Sequence, residues 1–206
     1  MDKTRLEAFS DGVFAIVLTL LIFNIQVPIL TPPLTNEVVW KGFLSIYPHL
    51  IIFFITFAVI SVFWINHHFL FHGFVKSIDR WLNLMNLWYL MFIVFIPFSA
   101  SFMGAYHAYW PAAVIYGTNL LLTVLMGTFM INYIKAKNLL SDEVSQRTFK
   151  QARFRTIVSL FCYFAGIVFA FVNTSISVFF YVFPVIFNII PGTLDFTERL
   201  LGFTIE

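Results

Sequence analysis

Six apolar runs, each near the ~20 residues a helix needs to cross a hydrocarbon layer, leave this 206-residue chain one architecture. Inside a bilayer a segment must satisfy its own backbone N–H and C=O groups, so such runs fold as helices. They fall at about residues 9–27, 44–71, 82–103, 112–133, 156–172 and 175–190. Pro28 and Thr31-Pro32-Pro33 end the first, Pro48 lies near the start of the second, and Pro97 sits in the outer part of the third. Pro111 opens the fourth, where a first-turn proline is well tolerated. The sixth is short, carries Pro184 and stops at Pro191-Gly192. Its link to the fifth, Asn173-Thr174-Ser175, is tight enough that a fused re-entrant hairpin competes with two separate helices.

Charge placement orients the spans. Of the 12 Lys and Arg residues, only Lys41 falls in an outer loop when the N-terminus is inside. Lys3, Arg5, Lys76, Arg80, Lys135, Lys137, Arg147, Lys150, Arg153, Arg155 and Arg199 share the inner side, as the positive-inside rule expects of six spans with both termini cytoplasmic. The expected fold is all-α: residues 1–206 as a single six-span membrane domain. The polar stretch 135–155 serves as an inner connector that is helical at its ends, and no soluble domain is expected. Lys3 and Arg5 resemble the n-region of a signal peptide, but Asp11 intrudes, the run is long and no small-residue cleavage site follows, so it reads as a retained span.

Composition closes off other classes. Hydrophobic residues make up 60% and charged residues 11%, against roughly 45–50% and 25% in soluble domains. A net charge of +2 without basic runs gives no hold on nucleic acid. The single cysteine, Cys162, lies in an apolar run as a small packing residue and permits neither a disulfide within the chain nor a metal cluster.

Within the predicted spans Asp11 is the one acid, and it stands in Arg5-x-x-x-Phe9-Ser10-Asp11-Gly12. A carboxylate costs roughly 2.5–3.5 kcal/mol at mid-membrane, and groups kept at such positions face a bundle interior or an aqueous path. At 100° per residue, Gly12, Ile16, Thr19, Phe23 and Gln26 share one narrow stripe and Arg5 projects back onto it, while Ser10 and Asp11 flank it. One hydroxyl and one amide among bulky apolar groups suit a narrow pore lining that gates by dewetting. Periodicity leaves a buried packing face equally open.

Trp64-x-Asn66-His67-His68 ends the second span at about the depth of Asp11. Asp11 is placed to accept hydrogen bonds from Trp64 Nε1–H and from His67 or His68, with Arg5 as charge partner; polar groups in a membrane need such partners. The histidines alternatively meet lipid headgroups. A metal site is disfavoured because adjacent residues diverge by about 100° on a helix and no Cys/His/Glu set completes the ligands. Asn83 and Asn86 share a face of the third span, where they can hydrogen-bond across helices, with packing glue as the favoured role, and Arg153 and Arg155 lack the repeated spacing of a voltage sensor.

No Thr-Val-Gly-Tyr-Gly carbonyl filter, Walker motif, dinucleotide loop or hydrolase signature is present, and no pair of membrane carboxylates could relay ions. The expected activity is conduction without cofactor or catalysis. A proton channel using His67 or His68 and a secondary transporter are the alternatives; an integral membrane enzyme or assembly factor would need a catalytic partner for the histidines.

The run Arg5-x-x-x-Phe9-Ser10-Asp11-Gly12-Val13-Phe14-Ala15-Ile16 resembles the signature of the transmembrane protein 175 family of cation channels. The likeness extends to Trp64-x-x-His67-His68, to Leu82-Asn83-Leu84 and to Pro97-Phe98, covering the first half of the chain; later spans agree in number and length. The resemblance implies a potassium-permeable channel of weak to moderate selectivity over sodium. It also implies the prokaryotic single-repeat type, a homotetramer in the plasma membrane among its lipids, with first helices lining the pore. The family's constriction falls on Ile16 and its selectivity hydroxyl on Thr19. Phe23 stands where a smaller aliphatic residue is frequent, and either narrows the outer pore or rotates away. Arg5, Ser10 and Asp11 would brace the pore helices together with Trp64 and the histidines.

Overall fold

The computed structural model describes residues 2–141 and 144–189, and every named element is helical. Helix α1 (Lys3–Leu20) starts at Asp2, whose side chain accepts the Thr4 N–H, and tightens into a 3-10 turn, Leu21–Asn24. A short helix α2 (Asn36–Ser45), capped by the Thr35 hydroxyl, precedes α3 (Tyr47–His68), which runs on as a π turn, Phe69–Phe74. Then come α4 (Arg80–Ala105), α5 (Trp110–Ala136), α6 (Gln146–Ala170) and α7 (Thr174–Ile189). Asp79 caps α4 and Ser145 caps α6 through the N–H groups of Leu82 and Thr148.

Five of these segments are long and apolar enough to cross a membrane, beginning with Lys3–Asn24 and Tyr47–Phe74. Helix α7 is as apolar but has 16 residues, about 24 Å at ~1.5 Å per residue against a ~30 Å hydrocarbon core. It is a separate helix packed along α6, and Asn173 starts it by accepting the Ser175 N–H at 2.8 Å. The sixth-run end at Ile190, the stop at Pro191-Gly192 and the inner Arg199 lie outside the described residues. The first run ends earlier than expected: regular helix stops at Leu20 and the 3-10 turn at Asn24, so 25–27 are not helical. The extended chain up to Pro28 is apolar without being helix, which hydropathy does not distinguish.

Lys3 reaches the carbonyl of Val75, and Val75 pairs with Leu140, so the start of α1 and the ends of α3 and α5 meet. This is the basic end of the bundle; Lys41 stands on α2 near the opposite end. Tyr181 of α7 is fully buried between α5 and α6, with its hydroxyl donating to Ala113 O at 2.9 Å. Two glycines make that seat: a Cβ on Gly166 would stand 2.3 Å from the Tyr181 ring and one on Gly117 would stand 2.1 Å from its hydroxyl. Gly166→Val should therefore destabilise the protein by about 1–3 kcal/mol through overpacking. Thermal unfolding in detergent checks this, and a wild-type midpoint would mean that Tyr181 moves aside freely.

Candidate pore-lining helix and its brace

Helix α1 divides lengthwise. Leu6, Ser10, Phe14, Val17 and Leu21 are buried against α3 and α4. Gly12, Ile16 and Thr19 point the other way, with Ile16 59% exposed. Among the described residues, nothing beyond its chain neighbours and its own helix backbone lies within 4 Å of a Cβ built on Gly12. Over this stretch the three residues share one outward face, which is not packed against the described residues of its own bundle. Thr19 donates its hydroxyl proton back to Ile16 O at 2.8 Å or Ala15 O at 3.0 Å. With the proton turned inward, the lone pairs of Oγ1 are left facing outward.

Beyond Leu20 the periodicity changes. Phe23, 74% exposed, belongs to the 3-10 turn, where residues advance by about 120°. Gln26 lies past all helix, so its expected place on the stripe does not hold. A tertiary bond accompanies the change: Asn24 Nδ2 donates to Pro97 O at 2.8 Å and pins the turn to α4.

The buried flank is fixed by a chain of hydrogen bonds across three helices. Ser10 Oγ donates to Leu6 O at 2.9 Å and accepts from Asn86 Nδ2 at 3.0 Å. Asn86 Oδ1 faces His67 Nε2 at 2.7 Å, so the imidazole carries a proton on that nitrogen. Around it, Phe14, Phe71 and Tyr89 place their ring centres 4.6–5.6 Å from that of His67. Asp11, on the more open flank, accepts the Trp64 Nε1–H at 2.9 Å, as the matching depths predict.

Other expected partners do not meet. His67 turns to Asn86 instead of Asp11, and His68 stacks on His72 with ring centres 5.2 Å apart. Arg5 is exposed, and among the described residues it forms no ion pair with Asp11. Six residues at 100° leave the two about 120° apart around α1. Lys3 supplies the basic anchor, donating to the carbonyls of His72 at 3.1 Å and Val75 at 2.8 Å, with Glu7 3.8 Å away. Phe9 is half exposed, and Asn66 lines a separate cavity toward α6. Asn86 is the junction: of its two expected roles it takes the hydrogen bond across helices over the favoured one of packing glue. The signal for it was an amide deep in an apolar span, level with both Ser10 and His67.

Outside the spans, Asp79 ties α4 to α5. Burial pulls its carboxyl upward, but the N–H groups of Leu82 and Trp81, the Tyr133 hydroxyl and the Lys137 charge hold it below its ordinary value.

Residues 5–97 match the family model described as "Endosomal/lysosomal potassium channel TMEM175". The chain is 28% identical over 194 residues to a potassium channel of Chryseobacterium sp. (strain P1-3), covering 93% of this chain and 94% of that one. It is 37% identical over 105 residues to a potassium channel of Streptomyces collinus, covering 51% of this chain and 49% of that one. In fold it is similar to the crystal structure of a lysosomal potassium-selective channel TMEM175 homologue from Chamaesiphon minutus. The TM-score is 0.73 at 26% identity, over 90% of this chain and 95% of that one.

Proposed function

We propose that this chain, whose residues 5–97 match the TMEM175 family model, is a potassium-permeable cation channel of the bacterial plasma membrane, weakly to moderately selective over sodium. The observation that carries the reading is the division of α1: Ile16 and Thr19 face away from their own bundle while the opposite face is held by Ser10, Asn86 and His67. A helix whose outward stripe adds nothing to its subunit's core is free to serve a surface made with other copies. Four subunits in a closed ring would set four α1 helices around one axis, with the Ile16 side chains at one level.

If those tips converge, the passage excludes a hydrated ion and stays dry until the helices twist or splay. Selectivity then rests on partial dehydration, which potassium tolerates better than sodium, and on the Thr19 oxygens. Asp11, Trp64, His67 and His68 act as structure around the pore and carry no catalytic step. Phe23, exposed at the outer turn, either narrows the same path or rotates away from it. The protein needs no cofactor and catalyses no reaction; its ligands are the permeant monovalent cations.

Reconstitution into potassium-loaded liposomes, with reversal potentials read under potassium, sodium and proton gradients, tests this. The expected reversal potential follows potassium with a smaller sodium contribution. One that follows protons alone would move the assignment to a proton channel of the same fold. Slow saturable flux would indicate a transporter, and a silent bilayer would remove the channel reading.

A further inference from the structure

A cavity of about 340 Å³ opens at the basic end of the bundle between α3, α5, α6 and α7. Its volume equals on the order of ten waters at ~30 Å³ each, yet much of its wall is apolar, including Phe63, Val124, Met130 and Tyr163. Near the start of α6 the wall turns polar, with Thr148, Gln151 and Arg155. Arg155 is half-buried, and among the described residues its side chain makes one hydrogen bond, from Nη1 to the Asn188 carbonyl at 3.1 Å. A guanidinium has five N–H donors. Among the described residues no carboxylate lines the cavity and no ion pair involves Arg155. A partly desolvated cation is costly without an anion, and charge-assisted bonds to phosphate are among the strongest that recover such a cost.

We propose that this cavity binds the head of an anionic phospholipid, with its phosphate on Arg155 and its glycerol and first acyl carbons against the apolar wall. Charge selects the headgroup and the apolar wall selects lipid over a soluble phosphate, which would gain nothing from Phe63 or Val124. Phosphatidylglycerol meets both requirements. The site borders His67 and therefore touches the brace of α1, but it stands whether or not the protein conducts, because it is read by binding.

The test measures thermal unfolding of the purified full chain in detergent supplemented with phosphatidylglycerol, with phosphatidylcholine, or with glycerol 3-phosphate alone. Phosphatidylglycerol should raise the midpoint by about 5 °C over phosphatidylcholine, and glycerol 3-phosphate should leave it unmoved. Arg155→Gln should abolish the difference. Ala152→Phe, which fills the cavity while keeping Arg155, should abolish it too, and it carries the test if the arginine variant fails to fold. Equal stabilisation by both lipids, an equal effect of glycerol 3-phosphate, or a full phosphatidylglycerol effect in Ala152→Phe would each overturn the proposal.

Discussion

Ile16→Asn should raise potassium flux through reconstituted protein by about tenfold and pull the reversal potential toward zero in opposed potassium and sodium gradients. Tenfold corresponds to ~1.4 kcal/mol of barrier, a modest demand on a constriction that changes from four branched alkyl groups to four carboxamides. Each amide brings donors and an acceptor that hold water where isoleucine expels it, so the dewetted state loses its advantage. The same change makes dehydration less necessary, and with it goes the basis for preferring potassium. Ile16 suits this test because it is 59% exposed and buries little within its subunit, so folding should survive the substitution. Val17→Ala is the matched control. Val17 is buried on the opposite face of α1, so its truncation should lower stability and leave the ion preference as it was. Unchanged flux in Ile16→Asn would take Ile16 out of the constriction and place the α1 stripe against lipid.

The division of α1 was legible because a helix that faces two environments writes them at 100° per residue, and Gly12, Ile16 and Thr19 are spaced accordingly. The bond from Trp64 to Asp11 was legible for a similar reason: two antiparallel spans of known length put their polar residues at matching depths. Depth does not fix rotation. Arg5 and Asp11 share a motif but not a face, and His67 shares a level with Asp11 yet points at Asn86. The helix end was also beyond local reading. Apolar residues continue through Val27, whereas the change to a 3-10 turn coincides with a contact between Asn24 and Pro97, separated by 73 positions in sequence. Helix α2 went unread because its ten residues mix Glu37 and Lys41 with Val and Trp, too short and too mixed to stand out from a loop. The cavity beside Arg155 depends on how four helices splay, which no single helix records.

Asn86→Leu should lower the thermal midpoint more than any single change on the exposed stripe, because one amide serves partners on two other helices. Leucine keeps the number and branching of the side-chain heavy atoms, with bulkier methyl groups, but leaves the His67 Nε2–H without an acceptor in a setting of Phe14, Phe71 and Tyr89. An unpaired buried donor costs about 1–3 kcal/mol, or several degrees for a chain of this size. Ser10 suffers less, since its hydroxyl still donates to Leu6 O. The asymmetry gives the prediction its sharper form. Removing both members of a buried pair in favour of apolar groups of the same shape can be nearly neutral, and a phenyl ring fits among the three aromatic neighbours of His67. The double variant His67→Phe with Asn86→Leu should therefore recover much of the stability lost by Asn86→Leu alone, giving a coupling of about 1 kcal/mol or more in a double-mutant cycle. Additive losses would mean that the two side chains act independently and that α1 is held by apolar packing of Leu6, Phe14 and Val17 alone. Strong coupling would identify the hydrogen-bond chain as what fixes the rotation of α1, and hence the direction in which Ile16 points.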